Sequence, residues 1–509
     1  MTASQITMLA TMAAYLFAMV GVGIKLSEKN ETMGDFYLGG RQLGPLVTAM
    51  SAEASDMSSY LLMGLPGLAY LSGTADVGWT VIGLAAGTYL NWLIVAKRLR
   101  SYTGHTGSIT LPEFFSDRWG DKKHILTFLA AIWIIVFFVP YTASGFAACG
   151  KLFHSLFGVD YHAAMIVSAI VIIFYTAMGG FLAASMTDFI QSIIMTAALA
   201  AILIFGFTQA GGVAAVFDNA RSLPGYLSLT QSYDPTSGTA VPYGFLTICS
   251  TLAWGLGYFG MPHILLRFMA IEDVDKLKLS RRVASVWVVI SMAVAVLIGM
   301  VGLGMTRGDK IEVLAGSASE TIIVRIADLL SRHGIAAALV AGIVLSGILA
   351  STMSTADSQL LAASSSVSND ILVKVFHLNI KKEQALLLSR ISLIAIAVIG
   401  IFLAWDPDSS VFGIVSFAWA GFGASFGPVV LLALFWKRSN RYGALASMLT
   451  GGVMVFIWKF AIRPMGGIWG IYELLPAFLS AILVNIIVSL VTPKPEAEIL
   501  RCYEEVQRL

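Results

Sequence analysis

Residues 51–67, Ser-Ala-Glu-Ala-Ser-Asp-Met-Ser-Ser-Tyr-Leu-Leu-Met-Gly-Leu-Pro-Gly, lie inside a long apolar run. They nevertheless carry the carboxylates Glu53 and Asp56, four serines and the helix breakers Gly64, Pro66 and Gly67. A second stretch of the same kind, Trp254-Gly-Leu-Gly257-Tyr258-Phe-Gly260-Met-Pro262-His263, occurs in the second half of the chain. Non-helical backbone in lipid is tolerated only where it is buried in protein or lines a cavity, because its polar groups find no water. Two Gly/Pro-interrupted helices at matching places in two halves point to a transporter's central binding site. Simple kinks are the alternative, but they leave the hydrogen-bonding groups of both clusters without a purpose.

The surrounding composition requires a membrane. Of 509 residues, 57% are hydrophobic and 12% charged, against roughly 25% charged in soluble domains. About 290 apolar residues supply about 13 spans at ~20–22 residues each. Disorder, a disulfide scaffold and a nucleic-acid-binding surface are excluded by the same numbers. A net charge of +2 implies no anionic partner, and Cys149, Cys249 and Cys502 match no metal or disulfide motif. The first segment lacks a basic leader and its apolar run ends at Lys25, so it reads as a retained span rather than a cleaved signal.

Hydropathy places spans near 5–26, 44–73, 77–97, 124–150, 161–179, 188–209, 244–269, 284–306, 336–366, 386–405, 411–436, 442–463 and 470–492, with no strands. With the N-terminus outside and the C-terminus in the cytoplasm, 24 of the 32 Lys and Arg residues face inward and 8 outward, as the positive-inside rule asks. Arg267 is counted there as the first residue of an inner loop. Two outer loops, about 210–243 and 307–335, are long enough for small surface helices, serving as lids or as plain connectors. Spans 2–6 and 7–11 make two five-helix units, each led by a broken helix. Five being odd, the units have opposite orientation. The expected division is residues 1–43 (extra helix and inner loop), 44–209 (first repeat), 210–243 (outer loop), 244–436 (second repeat) and 437–509 (two further helices and a tail).

A carboxylate in a span costs at least ~2.5 kcal/mol on insertion scales, so Asp56 needs a role. Two fit: binding a cation, or accepting local N–H groups that hold the broken turn. Glu53, one turn nearer the inner end, is expected to be structural and to reach water or Arg41. In the ninth span Ser351, Ser354, Thr355 and Ser358 stand at i, i+3, i+4 and i+7 and share a helix face. Facing freed carbonyls of span 2, they would form an all-oxygen cage, the choice of hard cations such as Na⁺. The alternative is that these hydroxyls bond to their own helix or join neighbouring helices. Protons relayed through Asp56, Asp188 and Asp357 are the rival coupling ion. No Lys or Arg falls between Lys151 and Arg221, so spans 5 and 6 offer no ammonium to fill the cage. An enzyme is not expected, since the seven histidines are scattered and no nucleotide loop is present. A channel normally builds its filter with oligomeric symmetry.

Six ordered motifs resemble the solute:sodium symporter family, most closely its sodium/proline symporter branch. They are SDMSSYLLMGLPG (55–67), GGFLAASMTDFIQ (179–191), WGLGYFGMPHILLRFMA (254–270), MSTADSQLL (353–361), FAWAGFGASFGPVV (417–430) and WKRSNRYGALASMLTGG (436–452). The resemblance implies an all-α, polytopic fold of 13 transmembrane helices with a LeuT-like inverted five-helix core in the cell membrane. It implies Na⁺-coupled symport of L-proline into the cell by alternating access, with no nucleic-acid or obligatory protein partner. The Na⁺ ligands it implies are carbonyls of Ala54, Met57 and Ser351 and the hydroxyls of Ser354 and Thr355, with Asp56 and Asp188 linked to the ion. Proline would sit near Ser58, Tyr60, Gly64, Tyr141, Trp254, Tyr258 and Pro262, its ring on the aromatic faces and its carboxylate on free N–H groups. Ser59, Tyr60, Met261 and Glu53 depart from the branch's pattern, which keeps another small amino or carboxylic acid open as substrate.

Overall fold

Apolar runs fold as helices here because a chain in lipid has to satisfy its own backbone. In the computed structural model, which describes residues 2–407 and 409–508 but not the side chains of Lys382 and Glu383, fourteen principal helices follow in order. The first seven are α1 (Ala3–Ser27), α2 (Pro45–Ser59), α3 (Leu65–Ser72), α4 (Thr74–Leu90), α5 (Ile125–Phe157), α6 (Tyr161–Gln209) and α7 (Phe245–Leu252). The rest are α8 (Pro262–Ala270), α9 (Leu277–Arg307), α10 (Ile335–Ser365), α11 (Lys382–Leu403), α12 (Val411–Phe435), α13 (Arg441–Ile457) and α14 (Leu474–Val491). Met1 and Leu509, the outer ends of the expected first and last segments, and the Lys382 side chain used in the charge count lie outside the described residues.

Ten helices among the described residues are long and apolar enough to cross a membrane, against the thirteen expected. The difference has three sources. α6 is one helix of 49 residues, about 73 Å long at 1.5 Å per residue, more than twice a ~30 Å hydrocarbon core. It breaks at Gly180, whose φ of 64° and ψ of −161° are non-helical. The other two are the interrupted helices α2–α3 and α7–α8, whose halves are each too short to count. In α2 the break is at Ser58, at φ 48° and ψ −166°, a region of backbone space essentially reserved for glycine that costs any other residue about 1–3 kcal/mol.

The two broken helices run in opposite directions. Leu43 N–H donates to Ala270 C=O at 3.2 Å and Glu272 N–H to Leu43 C=O at 3.0 Å. This small parallel bridge fixes the start of α2 beside the end of α8. α2 therefore enters from the face where α8 leaves, the inversion that two five-helix units require.

The spans are helical, as expected, but the outer loop that follows α6 also carries a short hairpin. Gln231–Asp234 pairs antiparallel with Thr239–Pro242, around a turn in which Asp234 accepts from Thr236 N–H and Ser237 O–H. A hydropathy window detects spans and misses a short polar hairpin between them. Both long loops carry the expected surface helices, Val213–Arg221 and Ile322–Ser331. The first loop is docked, since the buried Tyr226 hydroxyl donates to the Ala69 carbonyl at the end of α3.

Small residues let the interrupted region pack at backbone contact. Gly83 and Gly87 of α4 form a G-x-x-x-G pair, the spacing that allows close helix approach in membranes. A Cβ on Gly87 would stand 2.3 Å from the Gly255 carbonyl oxygen, and one on Gly255 would stand 2.2 Å from that of Gly83. Gly87→Val is therefore expected to lower the thermal stability of the detergent-purified protein, at the ~1–3 kcal/mol typical of overpacking or beyond. Gly21→Val, with nothing within 4 Å of the added Cβ, is expected to leave it unchanged. Equal melting temperatures for the two variants would contradict this packing.

Candidate functional site

The break in α2 exposes backbone to α10. Ser354 Oγ donates to the Ala54 carbonyl at 2.8 Å and lies 3.2 Å from the Ser351 carbonyl. Thr355 Oγ1 donates to the same Ser351 carbonyl at 3.1 Å. Two hydroxyls and two carbonyls from two helices thus share one dry volume, all four residues being buried. The fifth residue of the set, Met57, stands on the same turn of α2, with its carbonyl accepting the Tyr60 N–H. The rest of the α10 stripe turns inward on its own helix: Ser351 donates to Ile348 C=O and Ser358 to Ser354 C=O. Only Ser354 reaches across to α2. Oxygen-only, uncharged and dehydrated, this set suits a small hard cation.

Beside it lies a charged cluster that the sequence reading misplaced. Arg267, counted as a loop residue, sits in α8 and is 0% exposed. Its Nη2 donates to Asp188 Oδ2 at 3.0 Å and to Ser358 Oγ at 2.5 Å, its Nε to Ser51 Oγ at 3.0 Å, and Nη1 to the His263 carbonyl at 2.9 Å. Ser51 Oγ also donates to Asp188 Oδ2, at 2.7 Å. Asp357 accepts from Tyr175 O–H at 2.7 Å and from Ser358 at 3.0 Å. The count of basic residues runs Arg267 into the following loop because only four residues separate it from Glu272. A basic residue that near a span's end is read as interfacial by default.

Asp56 and the aromatic residues form a separate region. Tyr258 O–H donates to Asp56 Oδ2 at 2.5 Å, while Asp56 Oδ1 is buried without a partner. A cavity of about 20 Å³ is lined by Asp56, Tyr60, Leu84, Tyr141, Trp254 and Trp419. That is room for about one water, so an organic substrate enters only if these rings move. Tyr60 stacks on Trp254 (centroids 5.9 Å apart, 13°), and Trp254 stacks in turn on Tyr472 (4.9 Å, 14°). On the far side of Trp254 and Phe412 opens a cavity of about 480 Å³ that also contains Asp76, Tyr243 and Arg463. Ser58 faces the Tyr141 hydroxyl. Gly64 lies against the Tyr60 ring, 3.1 Å from where its Cβ would stand. Pro262 begins α8 and Met261 precedes it without a side-chain cap, leaving first-turn N–H groups free.

Leu84, Val415 and Trp419 line the small cavity and were not anticipated. Trp419 fell within the FAWAGFGASFGPVV motif, and its Nε1 donates to the Trp254 carbonyl at 2.8 Å, a contact with no sequence periodicity to announce it. Glu53 reaches neither water nor Arg41. It is 1% exposed and accepts from Trp92 Nε1 at 3.0 Å. Arg41 instead donates to the carbonyls of Met269, Thr103 and Ser108 at 2.7–2.8 Å. Burial pushes its guanidinium down to about 10, which still leaves it charged at neutral pH.

Comparison with known proteins shows the family and the fold. Residues 36–451 match the model of the sodium:solute symporter family. The chain is 38% identical to the osmoregulated proline transporter of Bacillus subtilis over 99% of both chains. It is 41% identical to the sodium/proline symporter of Haemophilus influenzae, covering 98% of this chain and 97% of that one. Among solved structures, a substrate-bound, outward-open Na⁺-coupled sialic acid symporter superposes with a TM-score of 0.78 at 17% identity, covering 96% of this chain and 99% of the other. A nucleobase-cation-symport-1 family transporter in a closed conformation gives 0.55 at 14% identity, over 92% and 98%. Both are LeuT-fold symporters, and the helical core described above has that fold. With the match running through nearly the whole membrane core, the chain is a transporter and not an enzyme, and it belongs to the sodium:solute symporter family.

Proposed function

We propose that the chain is a secondary active transporter that couples Na⁺ to the inward movement of L-proline. One observation carries the site: Ser354 Oγ meets the Ala54 carbonyl at 2.8 Å, where the α2 backbone is strained open at Ser58. Na⁺ would insert there as a substrate of the cycle, held by Ala54, Met57 and Ser351 carbonyls and by Ser354 and Thr355 hydroxyls. It would replace hydrogen bonds between these groups with ion contacts and brace the break. Asp56 and Asp188 would add negative potential to either side of the ion.

Proline supports the aromatic reading. Its apolar ring fits against Trp254 and Tyr258, its ammonium beside Asp56, and its carboxylate at the uncapped start of α8 near Pro262. Ser58, Gly64 and Tyr141 complete the surround, and the Tyr60 hydroxyl, buried without a partner, is free to donate. That orphan hydroxyl, at a position where the branch departs, also favours the second reading of another small amino or carboxylic acid. Since the cavity is about 20 Å³, binding requires the Tyr60–Trp254 stack to part. Rocking of α2–α3 and α7–α8 against the remaining helices would then open one face at a time. With Arg267 set aside as buried, 23 basic residues against 8 favour an outer N-terminus and a cytoplasmic C-terminus in the cell membrane, with repeats at 44–209 and 244–436.

Labelled proline should accumulate in proteoliposomes under an inward Na⁺ gradient, and a panel of small acids should compete less well than proline. Accumulation that ignores Na⁺ and follows a pH gradient would contradict the coupling, and a stronger competitor would replace the substrate. Ser354→Ala and Thr355→Ala should each raise the Na⁺ half-saturation about tenfold or more with little change in protein abundance, as loss of an ion ligand worth at least ~1.4 kcal/mol demands. Unchanged half-saturation in both would remove the site. Tyr258→Phe deprives Asp56 of its one side-chain donor, so it should raise the proline half-saturation by about 10–100-fold, the scale of a charged hydrogen bond. Uptake kinetics identical to the parent's would separate Tyr258 from the substrate region.

A further inference from the structure

We infer that the groove between α6 and α9 binds one acyl chain of an anionic phospholipid, whose phosphate is held by Arg282 and Lys278. The inference is independent of the ion and the solute assigned above.

The groove has a volume of about 530 Å³. α9 lines it with Arg282, Val286, Ile290 and Val294, one residue per turn along one face, α6 with Leu199 and α2 with Met50. Its hydroxyls and its indole are already engaged. Trp287 Nε1 donates across the groove to Thr196 Oγ1 at 2.9 Å, Thr196 donates to the Ser192 carbonyl, and Ser291 donates to that of Val288. The walls therefore ask for neither water nor a polar ligand, and hydrocarbon is what fills them. From Arg282 to Val294 the helix rises roughly 18 Å at 1.5 Å per residue. That is close to one leaflet's share of a ~30 Å hydrocarbon core, the distance a lipid tail of that leaflet runs.

Apolar walls alone select no particular lipid, because a tail gains nothing hydrophobic by leaving other tails. The selection comes from the basic end. Arg282 closes the groove near the start of α9, and Lys278 stands one turn before it on the same face. Neither has a hydrogen-bond or ion-pair partner among the described residues, whereas the neighbouring Lys276 is paired with Glu272 at 2.7 Å. Two unpaired cations at the membrane surface attract a headgroup of net negative charge and disfavour one that carries a choline. With the orientation proposed above, this is the cytoplasmic leaflet. Ser280 Oγ donates to the Pro45 carbonyl at 2.8 Å, which pins this end of α9 to the start of α2. Met50 stands one turn before Ala54, so the bound tail lies against the helix that breaks at Ser58.

The test uses the purified chain in phosphatidylcholine vesicles that contain increasing fractions of phosphatidylglycerol with brominated tails, which quench a tryptophan they touch. Brominated phosphatidylcholine is the zwitterionic control. The Trp287 signal is the difference between the parent and Trp287→Phe. It should reach half-quenching at a lower fraction of the anionic lipid than of the control. Arg282→Gln should weaken that preference about fivefold, the scale of one basic residue at an anionic surface, and Arg282→Lys should keep it. Where Trp287→Phe yields no folded protein, the preference is read in detergent. There phosphatidylglycerol should raise the parent's melting temperature more than phosphatidylcholine does, and Arg282→Gln should lose the difference. Equal effects of the two lipids leave the groove to ordinary bilayer lipid and overturn the proposal. So does a preference that Arg282→Gln retains in full, or a Trp287 that neither lipid quenches, as when another protein segment covers the groove.

Discussion

The hydrogen bond from Ser354 to the Ala54 carbonyl joins a strained, interrupted helix to an unbroken one across a dry interface. The rest of the core is arranged so that this junction can exist. α2 has to stop being a helix at Ser58, in a backbone conformation that serine enters only at a cost. The freed carbonyls then need partners that water cannot provide at this depth. α10 supplies one through the Ser354 hydroxyl, which donates to the Ala54 carbonyl. Carbonyl oxygens held this way are also ligands of the kind a dehydrated Na⁺ needs, which is why the proposed ion site falls at the break in the helix.

Two further features follow from that constraint. The α7–α8 segment interrupts as well, and it approaches α4 so closely that Gly83, Gly87 and Gly255 have no space for a side chain. That contact brings Trp254 and Tyr258 to the same depth as Asp56, where Tyr258 caps the carboxylate. α8 then carries Arg267 to the other flank, against Asp188 and Ser358. The proposed ion site thus lies between an aromatic, nearly closed cavity and an internal ion pair. A change at the Ser354–Ala54 junction moves the one helix, α2, that reaches Asp56 on one side and Ser51 on the other.

Residue types and spacing revealed much of this. The clusters at 51–67 and 254–263 are legible as broken helices because polar groups beside Gly and Pro in an apolar run serve no purpose in a simple kink. The i, i+3, i+4, i+7 spacing put Ser351, Ser354, Thr355 and Ser358 on one face, although it did not say that Ser354 alone would reach α2. Partnerships between distant segments stayed hidden. Arg267 looked like the edge of a basic loop, since its partner Asp188 is remote in sequence and pairing is what makes a buried arginine tolerable. Glu53 looked able to reach Arg41, but Trp92 on the next helix meets it first. Trp419 and Leu84 had no local signal, and the hairpin at 231–242 lay in a segment too polar for a hydropathy window to describe.

If Na⁺ braces the break in α2, Na⁺ and substrate must help each other bind, and by linkage the help is equal in both directions. Equilibrium binding of labelled proline to the purified protein, titrated at a series of Na⁺ concentrations, measures this directly when paired with Na⁺ binding at a series of proline concentrations. The account predicts that Na⁺ tightens proline binding and that proline tightens Na⁺ binding by the same factor, with both effects lost in Ser354→Ala. Proline affinity independent of Na⁺ would contradict it.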